Sequence, residues 1–138
     1  MMKKVAILGA MLALAGCAQI ENYQDVVKHP APAGLVGYWQ SAGPQGELIS
    51  PEAIASLIVT AEGDTLDCRQ WQRVIAVPGK LTLRGSSLDN VTRKLEIYDI
   101  ERDGSQLEYA GMTLNRVEKP TVECADALAK NPLPSPLP

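Results

Sequence analysis

A chain of 138 residues with a formal net charge of −3 and no phenylalanine leaves room for one modest core and excludes a large multidomain assembly. The acidic balance, with no basic stripe, argues against nucleic acid as a partner. No apolar run is long enough to cross a bilayer, which takes ~20 residues.

The first element is an export signal. Met1-Met2-Lys3-Lys4 is a short basic region, and Val5 to Ala15 is an uncharged apolar run. That run fits a secretory h-region better than a membrane span. It ends in Leu14-Ala15-Gly16-Cys17, the layout of a lipobox rather than a small-residue cleavage site. The chemistry requires cysteine. Its thiolate is the strong nucleophile among side chains and accepts a diacylglyceryl group. Two or more acyl chains then hold a protein stably, at ~0.8 kcal/mol per buried CH₂. Cys17 is therefore expected to be the lipidated N-terminus, with residues 1–16 removed. Ala18 stands where an Asp tends to favour inner-membrane retention in enteric bacteria, so the outer membrane is expected, the body facing the periplasm. Losing Lys3 and Lys4 shifts the formal balance from −3 to −5.

Cys68 and Cys124 remain, an even pair in an oxidising compartment. A disulfide is expected; the alternative is two buried thiols. The absence of Cys-x-x-Cys argues against a redox site.

Residues 17–33 read as the lipidated N-terminus and a linker, with an optional short helix over 22–28 and an extended end at His29-Pro30-Ala31-Pro32. Such a linker is a semi-rigid spacer that holds the body off the lipid surface. The body is expected at 34–130. Leu35 to Ser41 reads as the first strand and contains Gly37-Tyr38-Trp39. A Gly-x-Trp opens lipocalin-like barrels, which often carry a late Arg stacked on the Trp, and Arg116 is the candidate. A Trp at the edge of an ordinary core is the competing reading. Ser50-Pro51-Glu52 is a helix start that gives way to a strand from Leu57. Ala61-Glu62-Gly63-Asp64 reads as a hairpin turn, followed by one strand over Thr65 to Val77. Val77-Pro78-Gly79-Lys80 reads as a turn, Gly85 to Asn90 as a loop, and Val91 to Ile100 as a long strand with Val91, Leu95 and Ile97 inward. Asp103-Gly104 is a turn between that strand and the last two, Gln106 to Ala110 and Met112 to Val117. Thr121 to Lys130 is helix-prone. Residues 131–138 are a Pro-rich extended tail. Together these give a mainly β fold: a small antiparallel barrel or sandwich of six to seven strands with one or two short helices, stapled by a disulfide.

Three stretches resemble the YedD-like family of enterobacterial outer-membrane lipoproteins. They are Gly34 to Gln40, Ser50 to Thr60 and Gly63 to Lys80, joined by Glu101-Arg102-Asp103-Gly104 and the Pro-Leu-Pro tail. The resemblance implies a Gram-negative outer-membrane lipoprotein and supplies no catalytic residues.

Chemistry is sparse. A hydrolase triad needs a base beside the nucleophile, and the sole histidine, His29, lies in the linker. Structural zinc takes four ligands, which Cys68 and Cys124 lack. Glu62, Asp64 and Asp67 crowd one turn without an EF-hand pattern. No cofactor, metal or catalytic residue is assigned, and the chain reads as a non-enzyme. What stands out is a surface. Arg69, Trp71 and Arg73 alternate onto one face, and with Trp39 they form the candidate partner-binding set, Trp and Arg being typical of interface hot spots. The competing reading places Trp71 in the core. The expected function is a non-enzymatic binding or inhibitory accessory of the envelope, acting on a periplasmic protein such as a peptidoglycan-cleaving enzyme. The alternative is a lipocalin-like carrier of a small apolar ligand.

Overall fold

A computed structural model describes residues 21–43, 45, 50 and 52–138. Cys17 lies outside them. Eight antiparallel strands follow one another around a closed barrel: β1 (Gly37–Ser41), β2 (Ile54–Val59), β3 (Asp64–Trp71), β4 (Arg73–Arg84), β5 (Ser87–Thr92), β6 (Ile97–Asp103), β7 (Gln106–Tyr109) and β8 (Met112–Val117). Pairing of β8 with β1 closes the ring, with Trp39 opposite Arg116. Apart from that closing pair every strand neighbours the next in sequence, and closure leaves no strand edge of the described barrel unpaired.

The barrel is thus settled over the sandwich, and the count is eight rather than six to seven. The two extra breaks fall where the sequence carries no turn residue. The expected single strand Thr65 to Val77 doubles back at Gln72, which takes φ of 63°, so that Trp71 pairs with Arg73. The expected strand Val91 to Ile100 breaks at Arg93–Glu96, where Leu95 takes φ of 64°. Leu95 and Ile97 are accordingly exposed, not inward. The expected turn at Val77-Pro78-Gly79-Lys80 is the middle of β4, and the expected loop at Gly85 to Asn90 is mostly β5.

Alternation sorts the walls. Trp39, Ala55, Leu57, Val59, Leu81, Ile100, Leu107, Tyr109, Met112 and Leu114 form the lumen core together with Leu35. The outer face of β2 and β3 is covered as well. Helix α1 (Val122–Lys130) lies over it, burying Cys124 and Leu128 against Ile58, Leu66 and Cys68. Thr121 caps this helix by accepting from the Cys124 amide. The Cys68–Cys124 disulfide is present, as expected. The Ser50 hydroxyl accepts from the Glu52 amide, but in a turn rather than the expected helix start, and β2 begins at Ile54, ahead of the expected Leu57; Pro51 lies outside the described residues.

Both terminal segments are bound to the barrel. A 3₁₀ turn at Tyr23–Asp25 precedes a stretch whose His29 and Ala31 amides donate to the Leu81 and Ala61 carbonyls. The tail forms no helix or strand, but Ser135 is buried. Its hydroxyl donates to Asp64 Oδ2 at 2.6 Å and meets Thr60 Oγ1 at 2.6 Å, while Lys28 Nζ reaches the same carboxylate at 3.1 Å. One buried carboxylate therefore ties the N-terminal segment, the β2–β3 turn and the tail together. Ser135→Ala is expected to cost about 2 kcal/mol, as for a buried hydrogen bond to a charged group. Urea unfolding with limited proteolysis of residues 131–138 measures it; an unchanged cleavage rate would show that the prolines alone hold the tail.

Candidate functional site

A meander barrel has two ends, and here they differ. The turns at 60–63, 85–86 and 104–105 share one end with the approach of the N-terminal segment. This end is sealed. Trp39 is 1% exposed, donates from Nε1 to the Leu35 carbonyl at 2.9 Å, and carries the Arg116 guanidinium 4.4 Å from its ring centroid. Arg102 adds a second guanidinium at 5.7 Å. Arg116 also donates to the carbonyls of Val36, at 2.7 Å, and of Gly34. Gly37 is required there, because its φ is 150° and an added Cβ would collide with the Arg116 guanidinium. The Gly-x-Trp and late Arg therefore meet as the lipocalin-like reading expects. Trp39 belongs to this seal and is too buried to touch a partner, which corrects its place in the candidate binding set.

The opposite end is a mouth. It gathers the β1–β2 connection, the Gln72 tip, the Arg93–Glu96 turn and the Ala110-Gly111 turn. All three non-glycine residues with positive φ among the described residues, Gln72, Leu95 and Ala110, lie at this end. Such backbone costs of order 1–3 kcal/mol per residue and clusters at working sites. Gln45, in the β1–β2 connection, fastens to β8 with both ends of its amide, at 2.8 Å each to the Thr113 amide and carbonyl.

Just inside the mouth lies a recess of about 220 Å³ lined by Asp67, Arg69, Ile75, Val77, Lys94, Glu96 and Tyr98. Its floor is a polar network inside the lumen. Asp67 accepts from Tyr109 Oη at 2.7 Å and from Arg69 Nε at 3.1 Å. Asn90 donates to Tyr109 Oη at 2.9 Å and accepts from Thr65 Oγ1 at 2.6 Å. Gly79 makes room for this, since a Cβ there would sit 2.6 Å from both Asn90 Oδ1 and Thr65 Oγ1. Burial, reinforced by the Asp67 charge and hydrogen bond, pushes the Tyr109 phenol far up, so it stays a donor at any physiological pH. For Arg69 burial acts against the charge. The Asp67 carboxylate outweighs it, and the net shift is upward. Arg69 also lies over the Tyr98 ring at 5.4 Å.

The structure brings Arg69, Trp71 and Arg73 together, but not on one strand. Arg69 and Trp71 end β3, and Arg73 begins β4 across the Gln72 tip. They share the lumen side of the wall, because the other side of β3 carries Cys68 and Gln70 under α1. Arg69 is a half-buried lumen residue, Trp71 is half-buried at the mouth rim, and Arg73 is exposed. Val74, Ile75 and Leu95 add exposed apolar surface to the same rim. Glu62 is exposed, while Asp64 and Asp67 are held by separate partners, so the three carboxylates of that turn do not converge. The lumen network was missed in sequence. Its signal was there: Thr65, Asp67 and Arg69 fall on one parity of a strand otherwise rich in apolar residues.

A family model described as "Bacterial lipocalin LPS transport optimiser YedD" matches residues 20–128. An uncharacterized lipoprotein YedD of Salmonella typhimurium strain LT2 is 74% identical over 134 residues, 97% of this chain and 95% of the relative. One of Escherichia coli K12 is 69% identical over 137 residues, 99% of this chain and 100% of the relative. A solved crystal structure of a lipoprotein YedD from Klebsiella pneumoniae is 60% identical, with a TM-score of 0.80 over 85% of this chain and 100% of that one.

Proposed function

Because this chain belongs to the YedD family of lipoproteins, whose family model is described as a lipocalin and LPS transport optimiser, we propose that it is an accessory of lipopolysaccharide transport. It is anchored in the outer membrane by Cys17, faces the periplasm, and acts by binding a protein of the transport route rather than by catalysis.

The observation that carries this reading is the mouth. A half-buried Trp71, exposed Arg73, Val74, Ile75 and Leu95, and three strained turns ring a shallow recess. Trp and Arg beside apolar surface are the usual anchors of an interface. A polar network floors the recess, so a partner loop meets a rim and not a deep cavity. The earlier expectation of a peptidoglycan-cleaving enzyme as partner has no observation in its favour beyond the same rim.

Trp71→Ala is expected to cost about 2 kcal/mol of partner binding, which is ~30-fold in affinity. Its effect on folding should stay near 1 kcal/mol, the centre of the range for point changes. The test places a photocrosslinking residue at Trp71 and another at Asn115 on the wall. Capture of a transport-machinery component from Trp71 alone supports the reading; capture from Asn115 alone overturns it.

A second reading, the lipocalin-like carrier, is favoured by the Gly37-Tyr38-Trp39 seal with Arg116. A drug-sized ligand needs ~300 Å³ or more; the mouth recess offers about 220 Å³ above the polar floor, whereas a recess of about 330 Å³ beside the Trp39 end, lined by Leu35, Leu88, Ile100 and Arg102, reaches that size. Stoichiometric uptake of a fluorescent fatty acid would favour the carrier.

A further inference from the structure

Residues 18–33, read as a semi-rigid spacer, would let the body stand roughly 50 Å from its anchor at ~3.1 Å per residue. The fold removes most of that freedom. The Tyr23 carbonyl accepts from Lys80 Nζ at 3.1 Å, and the same ammonium lies 4.4 Å from the Tyr23 ring centroid. Val26 is buried. Lys28 pairs with Asp64, and the His29 and Ala31 amides are bonded to the barrel. The segment is thus fixed to the outer wall from Tyr23 onward. Between Cys17 and Tyr23, the first residue to touch the wall, there are six residue steps, which reach at most about 22 Å in any conformation. An acylated Cys17 sits at the lipid–water boundary, so the point where the chain joins the wall lies within that reach of the leaflet.

The register identifies the wall. Lys80, Val91 and Ile97 stand side by side on the outer face of β4, β5 and β6. Tyr23 lies on this face, close enough to Arg93 and Asp64 for both to act on its phenol, although burial is the larger effect and raises its pKa. Val27 is 78% exposed and Ile97 is 51% exposed. Lys80, Arg84 and Arg93 share this wall with Asp25, Asp89, Asp99 and Glu101, so no basic patch draws it to headgroups and the exposed apolar side chains make the contact. Large apolar side chains presented within tether reach of a bilayer match an interfacial contact.

We propose that the outer wall of β4–β6 around Tyr23 lies against the lipid leaflet that holds the anchor, with Val27 and Ile97 in the interface. The inference rests on the Cys17 tether of the preceding reading and is independent of the partner at the mouth. The mouth stays free in this pose, because β4 runs past the end of β5 toward Gln72.

Val27→Cys, Ile97→Cys and Asn115→Cys are made separately in the acylated protein. Cys17 is blocked by lipid and Cys68–Cys124 by their bond, so a nitroxide reagent reads only the new position. The labelled proteins are reconstituted in phosphatidylethanolamine–phosphatidylglycerol liposomes after mass spectrometry confirms the acyl chains. Positions 27 and 97 are expected to show several-fold higher collision with oxygen, and lower collision with a water-soluble nickel chelate, than position 115. Water-like values at both 27 and 97, or immersion at 115 instead, would overturn the proposal. Protein that fails to float with the liposomes would instead refute the tether.

Discussion

Trp39→Ala should remove about 3–5 kcal/mol of folding stability, the range for truncating a buried Trp. Domains of this kind hold a total of ~5–15 kcal/mol, so the variant should be close to unfolding. The cause lies in what the ring supports. Trp39 is 1% exposed and belongs to the lumen core. Without it, the Leu35 carbonyl loses its donor, and the guanidinium groups of Arg116 and Arg102 are left over a void. Arg116 is also held by the Val36 and Gly34 carbonyls, so it cannot swing in to fill the gap without breaking those bonds. Trp39→Phe keeps a ring beneath the cations and should cost roughly half as much, as a partial loss of volume does. Urea denaturation followed by circular dichroism measures both. A loss below about 2 kcal/mol for the alanine variant would show that the sealed end collapses onto the space.

This contrast explains what could be read in the sequence. The sealed end was legible, because Gly37, Trp39 and Arg116 are rare residue types whose chemistry fixes their geometry. The turns at Gly63 and Gly104 were legible for the same reason, each glycine having positive φ. The mouth was not. Only its Ala110-Gly111 turn, which carries a glycine, was read; the other two are made by Gln72 and Leu95, which carry no turn signature, and tertiary closure forces them into left-handed backbone. Pro78-Gly79 misled in the opposite direction. Those residues read as a turn, but Gly79 is there to admit the Thr65–Asn90 hydrogen bond, and the Pro78 carbonyl accepts from the Arg93 amide at the side of β4. The sequence left Trp71 between an exposed face and the core, and it stands half-buried at the rim of the lumen, between the two. In a closed barrel with a helix on its wall, both faces of β3 are covered.

Loss of the disulfide should be felt on the same scale. The Cys68–Cys124 bond closes a separation of 56 residues, and its Cα atoms stand 6.2 Å apart, within the unstrained range. The chain-entropy argument gives about 4 kcal/mol for a loop of that length. At ~4 °C per kcal/mol for a domain of this size, the paired Cys68→Ala and Cys124→Ala changes should lower the melting temperature by roughly 16 °C. The loss should begin at the helix. Nine residues are too few to hold helix alone, and beyond the bond α1 is held mainly by Leu128 in its apolar face and by the Gln70 contacts to Thr121 and Glu123. Hydrogen exchange of the amides in 122–130 should therefore rise before that of the barrel strands. Equal protection in the variant and the native protein would show that apolar burial alone docks the helix. The effect should also reach the mouth. Gln70 stands between Arg69 and Trp71 on β3, and its side chain is bonded to the helix. Freeing α1 removes the backing of the strand that presents Trp71, so partner binding should fall in the double alanine variant even at temperatures where the barrel remains folded.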